Sequence, residues 1–397
     1  MARDPALTRL YAATFLYSFS QALAVPLLPE HLRLSFGATA LFIGIVMGLY
    51  GAMQIVLRLP MGDMADRRGR KPSLLIAFVS TVLSGACFAF GPNMWWAVPG
   101  VVFFGFGGGV FWVAANSYLF DRSADVAKST SDYTIAMSLA FLLGPPIGHL
   151  VAETFGFGYA FILTVFTSIG GLLLTLTLPE TPPAPRAAPV GSPYRRAWRL
   201  LAHPALVMSA MGTFTYSMLF ATQQSFFQLH ALYVGVSVTV VGLLLGGRQA
   251  TALAVRWGLP RFLRRVGAPR VMIGGIAALA LATMLIPFAR TLPTLAALVA
   301  LAGCATGVLI PANLMLVHEG APPGERGLAN GIYGTVLGLG NAIAPPLYGA
   351  LAVGDVFDRT FWVAGAVGFV LVGAIVLFRR RASGGGTEVP KDGSSEG

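Results

Sequence analysis

The chain reads as long uncharged runs broken by short polar ones, and that alternation predicts most of its architecture. A membrane span needs about 20 mostly apolar residues. Six segments meet that need near 8–29, 39–60, 72–91, 95–119, 131–153 and 158–178, and six more near 204–231, 236–257, 269–289, 293–317, 325–352 and 358–378. Between the sixth and seventh runs a polar, proline-rich connector, Pro179-Glu180-Thr181-Pro182-Pro183-Ala184-Pro185-Arg186, continuing through Arg195, Arg196 and Arg199. The pattern predicts an all-α membrane protein with twelve transmembrane helices in two pseudo-symmetric six-helix bundles. The bundles are expected over 1–178 and 204–381, joined by a linker over 179–203 and followed by a Gly/Ser-rich, disordered tail over 382–397.

The two halves repeat each other. Gly144-Pro145-Pro146 in span 5 recurs as Ala344-Pro345-Pro346 in span 11, and Asn116 in span 4 has a counterpart in Asn313 of span 10. Arg58 precedes Gly69 by the same interval that separates Arg256 from Gly267. Three such pairs in one order indicate an internal duplication, a common origin for carriers.

Composition agrees with a membrane protein. The chain has 397 residues, 55% of them hydrophobic and only 11% charged, whereas soluble domains carry about 25% charged residues. The net charge of +11 does not point to nucleic acid, because the cations sit in the gaps between apolar runs. Of 27 Lys and Arg, only Arg33, Arg290 and Arg359 fall in loops on the side opposite the termini. Arg58 and Arg248 lie inside spans, and the rest flank the termini side, so the positive-inside rule predicts cytoplasmic termini in a cytoplasmic membrane. Cys87 and Cys304 each stand inside an apolar run and read as packing residues. The first run carries Tyr17, Gln21 and two prolines and reads as an uncleaved helix rather than a signal peptide.

Polar side chains inside spans are expensive in hydrocarbon and tend to face other helices or water. Gln21 lies in span 1, Gln54 and Arg58 in span 2, Asn116 in span 4, and His149 in span 5. Gln223, Gln224 and Gln228 lie in span 7, Arg248 and Gln249 in span 8, Asn313 in span 10 and Asn341 in span 11. The interiors of spans 3, 6, 9 and 12 have no such residue, which predicts four outer helices and eight around a central path. Expected substrate-binding residues are Gln21, Gln54, Asn116, Gln223, Gln224, Arg248, Gln249, Asn313 and Asn341. Arg248, near the middle of span 8, needs an anion, carbonyls or water. A negatively charged or strongly polar substrate group is one reading, and pairing with carbonyls or cavity water is the other.

One loop concentrates charge: Gly62-Asp63-Met64-Ala65-Asp66-Arg67-Arg68-Gly69-Arg70-Lys71-Pro72. Its glycines allow a tight reversal, Asp66 can accept from a neighbouring helix N-terminus, and Arg67, Arg70 and Lys71 can pin the turn to anionic headgroups. The pattern Gly-x-x-x-Asp-Arg-x-Gly-Arg-Lys resembles the signature loop between helices 2 and 3 of the major facilitator superfamily. Val25-Pro26-Leu27-Leu28-Pro29 and Gly144-Pro145-Pro146-Ile147-Gly148 resemble the proline and antiporter motifs of its twelve-helix drug:proton antiporter (multidrug efflux) group, with His149 in place of the last motif glycine. Glu325-Arg326-Gly327 opens span 11 as in many members.

The resemblance implies transport by alternating access. Gly62, Asp66, Arg67, Gly69, Arg70, Lys71 and Arg326 would gate the cytoplasmic side, and Pro26, Pro29, Gly144, Pro145, Gly148 and Pro345 would form helix hinges. The arginine that many such antiporters carry in helix 4 is replaced here by Gly105-Phe106-Gly107-Gly108-Gly109. No acid stands at the middle of a span, and Glu30, Glu153, Asp121 and Asp132 are placed near the membrane faces. His149 is then the candidate for proton coupling, with a hydrogen-bonded packing role as its alternative. No GxSxG, HExxH, P-loop or paired-carboxylate pattern suggests an enzyme, a cofactor or a metal site. The expectation is a monomeric exporter of a small organic solute or drug, exchanging it for protons amid membrane lipids. A proton-coupled symporter importing a small polar or anionic metabolite is the alternative.

Overall fold

The computed structural model describes residues 4–123, 125–180, 193–322, 325–352 and 356–384, excepting the side chains of 57–68, 126, 127, 193, 194, 196, 326 and 382–384. The first half forms α1 (Pro5–Phe36), α2 (Ala40–Arg68), α3 (Arg70–Phe90), α4 (Ala97–Arg122), α5 (Val126–Phe155) and α6 (Phe157–Leu176). The short helix α7 (Pro193–Leu200) follows within the connector, and the predicted tail lies largely outside the described residues. The second half forms α8 (Pro204–Tyr233), α9 (Val238–Val266), α10 (Ala268–Leu285), α11 (Leu292–Gly320), α12 (Arg326–Gly349) and α13 (Asp358–Gly384). Ten helices are long and apolar enough to cross a membrane among the described residues; α2, with its apolar stretch Ala40–Val56, and α12 complete the twelve.

Local chemistry sets the boundaries. Asp4 caps α1 by accepting from the Ala6 N–H at 2.9 Å, with Pro5 in the first turn where no amide partner is required. The helix ends at Gly37, whose φ of 63° lets its N–H return to the Arg33 carbonyl. Single glycines join α2 to α3, α5 to α6 and α9 to α10: Gly69 (φ 94°), Gly156 (φ 101°) and Gly267 (φ 85°). A one-residue reversal at positive φ excludes most other residue types. That Gly69 and Gly267 share this conformation repeats in three dimensions the duplication seen in the sequence.

Each half packs as a bundle. In the first, α1 lies against α5 and α6, α3 against α4 and α6, and α2 against α4; in the second, α8 lies against α12, α11 and α13, and α10 against α11 and α13. The main contacts between bundles are α2 with α12 and α5 with α9, supported by α1 with α8. Helices α3, α6, α10 and α13, the four without interior amides, lie outside. Each presents large exposed apolar side chains, among them Leu83, Phe166, Leu281 and Val370.

The signature loop folds inward rather than outward where it is described. Arg70 is buried, its Nε 3.2 Å from Asp121 Oδ2 on α4, and Lys71 Nζ donates to the Leu176 carbonyl at the end of α6 at 2.8 Å. Both cations therefore tie α3 to its own bundle, where headgroup contact was expected. The side chains of Asp66, Arg67 and Arg326, and any side-chain contact around Gly62, lie outside the described residues.

Candidate functional site

Between the bundles lies a cavity of about 270 Å³, at the lower edge of the range for small-ligand pockets. Six amides reach its wall: Gln21 of α1, Gln54 of α2, Gln224 and Gln228 of α8, Gln249 of α9 and Asn341 of α12. One cation joins them, Arg248 of α9, and the apolar part is aromatic, with Tyr50, Trp112, Phe141 and Phe220. No carboxylate lines it among the described residues.

The glycine run of α4 explains how the amides converge. A Cβ on Gly108 would stand 3.4 Å from Gln21 Nε2 and 4.0 Å from Gln54 Nε2, while one on Gly105 would press on Met53 and the Tyr50 carbonyl. A thin α4 thus lets α1 and α2 bring both amides to one wall. Gln21 Nε2 donates to Tyr17 Oη at 3.2 Å, and Tyr17 is held by stacking on Phe111 at 3.7 Å between centroids. Across the cavity the Arg248 guanidinium lies 5.0 Å over the Phe220 ring. Such a cation–π contact contributes about 0.5–2 kcal/mol, and Arg248 has no carboxylate partner among the described residues.

Three of the expected substrate residues stand elsewhere. Gln223 turns to the outer helix α10 and donates to Thr283 Oγ1 at 2.8 Å. Asn313 is wholly buried between α11 and α8, beside Gly212, with the Ser209 hydroxyl donating to its backbone carbonyl. Asn116 is exposed and donates to the Trp112 carbonyl one turn earlier on α4. The aromatic wall and Gln228 were not among the expected site residues. A four-residue spacing marks part of it, since Phe220, Gln224 and Gln228 share one face of α8 whereas Gln223 lies 100° away.

The cavity is closed on the side opposite the termini by two seams of matching construction. In α5, Pro145 and Pro146 free the carbonyls one turn back, and in α12 Pro345 and Pro346 do the same. Glycines of the facing helix meet both. A Cβ on Gly246 of α9 would stand 2.7 Å from Pro146 Cγ and 3.0 Å from the Leu142 carbonyl oxygen. One on Gly48 of α2 would stand 2.8 Å from Pro346 Cδ and 2.6 Å from the Ala342 oxygen. Gly242 packs on the Pro145 carbonyl and Gly44 on the Pro345 carbonyl in the same way. Gln228 Nε2 bridges α8 to the Pro26 carbonyl of α1 at 3.2 Å, and the Thr239 N–H of α9 donates to Glu153 of α5. Toward the termini, a Cβ at Gly258 of α9 or at Gly327 or Gly331 of α12 would meet nothing within 4 Å. Of the expected hinge residues, Pro145 and Pro345 lie on these seams, whereas Gly144 and Gly148 pack on Ala22 and Leu23 of α1 within the first bundle and Pro26 and Pro29 lie inside α1.

One acid expected near a membrane face is enclosed by protein: the Glu30 side chain is wholly buried, on an α1 that continues to Phe36 and packs against α5 and α8. Its Oε1 lies 3.4 Å from Nε2 of the equally buried His149.

The family model of the Major Facilitator Superfamily matches residues 10–258 and 209–395, covering both bundles. The chain belongs to the major facilitator superfamily. This superfamily transporter is 24% identical over 362 residues to a class C tetracycline resistance protein of Escherichia coli, covering 87% of the chain and 89% of that relative. It is 30% identical over 176 residues to a homolog of the multi-drug resistance efflux pump PmrA in Lactococcus lactis, a match covering 41% of the chain. That alignment spans only 40% of the pump's length. The crystal structure of the nucleoside transporter NupG superposes with a TM-score of 0.80 at 18% identity, over 95% of this chain and 100% of that one; this likeness concerns the fold. As a superfamily member the protein is a multi-pass membrane transporter of small molecules.

Proposed function

We propose that the transporter exports small polar or anionic organic compounds across the cytoplasmic membrane in exchange for protons, acting as a monomer by alternating access. The observation that carries this reading is a cavity walled by amides and aromatics around one cation without an acidic partner among the described residues, closed by packed seams on the side opposite the termini. Arg248 would receive an anionic or strongly polar group, while Gln21, Gln54, Gln224, Gln249 and Asn341 supply hydrogen bonds and the aromatic wall takes the apolar body. With termini in the cytoplasm, as the cation distribution favours, the sealed face is the outer one. Export rather than uptake is favoured by the relatives named for efflux and resistance.

Asp66 and its basic neighbours, with Arg326, would latch the cytoplasmic face when the cavity opens outward. Unchanged transport and an unchanged inward/outward distribution in Asp66→Asn would refute the latch. Direction and coupling are tested in inside-out and right-side-out vesicles, using ligands found by thermal shift on purified protein. Accumulation in inside-out vesicles that collapses when the proton gradient is dissipated supports export by exchange. Gradient-driven accumulation only in right-side-out vesicles establishes uptake and refutes it.

A further inference from the structure

The two seams that close the cavity are near copies, but among the described residues only one holds a buried acid and histidine. Counting from the paired proline motifs, the position of His149 in α5 corresponds to Gly349 in α12, and Gly349 packs directly on the Ala40 carbonyl of α2. His149 instead fills the junction of three helices. Its Nδ1 donates to the Pro145 carbonyl at 2.7 Å, its Nε2 faces Glu30 of α1 at 3.4 Å, and a Cβ on Gly242 of α9 would stand 2.6 Å from its own Cβ. Both ionisable side chains have zero exposure, and neither Glu30 oxygen nor His149 Nε2 has a hydrogen-bond partner among the described residues. A buried carboxylate and imidazole held this way are costly unless they share charge, so simple packing does not account for them.

We propose that Glu30 and His149 together form the proton-binding site of the transport cycle, and that the α5–α9 seam closes only when the pair holds one proton. This rests on the proton-exchange reading above and locates its proton outside the substrate cavity. Glu30 is one helical turn beyond Pro26, and His149 one turn beyond Pro145, and both prolines line the cavity. The pair therefore stands about 6 Å outward of the cavity wall on each helix.

Charge balance sets the direction. One proton on the pair gives a net charge of zero, whether written as carboxylate with imidazolium or as carboxylic acid with neutral imidazole. A dry seam tolerates that state and disfavours the pair with a net charge of −1 or +1. When the seam parts and water enters, solvation removes the demand for neutrality and the pair can give up its proton. Closing the seam then takes up one proton from the outer medium, and losing that proton to the cavity side drives the seam apart again. The electrostatic partners of Glu30 are His149 and Glu153. Glu153 accepts from the Thr239 N–H at the rim, α9 offers Gly242 at this junction, and the neighbouring His31 turns away toward Phe36, Phe157 and Phe161.

The test needs no substrate. Spin labels at Pro92→Cys and Leu292→Cys, one on each bundle at the outer face, are introduced with Cys87 and Cys304 replaced by serine, and distances are read in lipid nanodiscs from about pH 6 to about pH 8.5. The expected result is a rise in the outward-open to outward-closed ratio with pH, approaching tenfold per unit, lost in Glu30→Gln, where a neutral imidazole can be enclosed without a proton, and kept in Glu153→Gln. A pH-independent ratio in the otherwise unaltered protein overturns the proposal without needing any variant to fold, and so does a full response in Glu30→Gln. Flat distances alongside gradient-driven export would remove only the pair from the cycle. A normal distance response in a protein that exports nothing would remove only the export reading.

Discussion

Placing a methyl group on Gly48 tests the closed seams most directly. The new Cβ of Gly48→Ala would stand 2.6 Å from the Ala342 carbonyl oxygen and 2.8 Å from Pro346 Cδ. Neither neighbour can yield alone, since one is helix backbone and the other a proline ring, so α2 and α12 must separate. Overpacking of this kind costs about 1–3 kcal/mol. The cost falls on the state in which α2 and α12 touch and vanishes once they part, so the outward-open to outward-closed ratio should rise about 5- to 150-fold. Gly246→Ala, which would meet Pro146 Cγ at 2.7 Å, should shift the ratio in the same direction. Gly247→Ala is the control, because a Cβ there meets nothing within 4 Å. The assay is the distance distribution between outer-face labels on the two bundles. Unchanged distributions for both Gly48→Ala and Gly246→Ala, or an equal shift for Gly247→Ala, would refute the assignment of these seams as the outer closure.

Further expectations concern the cavity and the first bundle. Arg248→Ala should weaken binding of an anionic ligand about 10- to 150-fold, the equivalent of about 1.5–3 kcal/mol for a charged hydrogen bond, and Arg248→Lys should recover only part of it because the planar fork is lost; calorimetric titration of the purified protein reads both. Asp121→Ala removes the carboxylate 3.2 Å from buried Arg70 and should destabilise the first bundle by about 1–3 kcal/mol, measured as a lower thermal midpoint in detergent that Asp121→Glu partly restores. Gly69→Ala forces a side chain onto a residue with φ of 94° and should cost about 1–3 kcal/mol in the same thermal measurement, with Gly267→Ala matching it if the joints are equivalent.

The architecture was legible because lipid leaves a chain few options. Apolar runs must be helices, loops must carry the charge, and a duplicated gene leaves its proline pairs in register. Outer and inner helices were legible for the same reason, since Gln and Asn cannot face acyl chains cheaply and α3, α6, α10 and α13 lack them. The cavity was legible only by helix, not by side chain. Gln223 and Gln224 are adjacent in sequence, yet one bonds Thr283 in the outer layer and the other faces the cavity; a rotation of 100° per residue decides between them. Phe141, Trp112 and Phe220 escaped because an aromatic residue facing a cavity and one facing lipid look alike along a chain. The burial of Glu30 was not legible because distance from the end of an apolar run measures depth along a helix, and its enclosure comes sideways, from α5.

The paired seams have a consequence for speed. What holds them in large part is glycine Cα against a backbone carbonyl of the facing helix, and contacts of that kind contribute about 0.5–1 kcal/mol each. Four such touches, at Gly44, Gly48, Gly242 and Gly246, sum to a few kcal/mol, which is comparable to the roughly 5.5 kcal/mol that inverts a 99:1 population. A door fastened this lightly can be turned by the capture of one modest molecule, and it releases in steps along its length rather than as a single latch, so reorientation is expected to keep pace with cargo instead of limiting it.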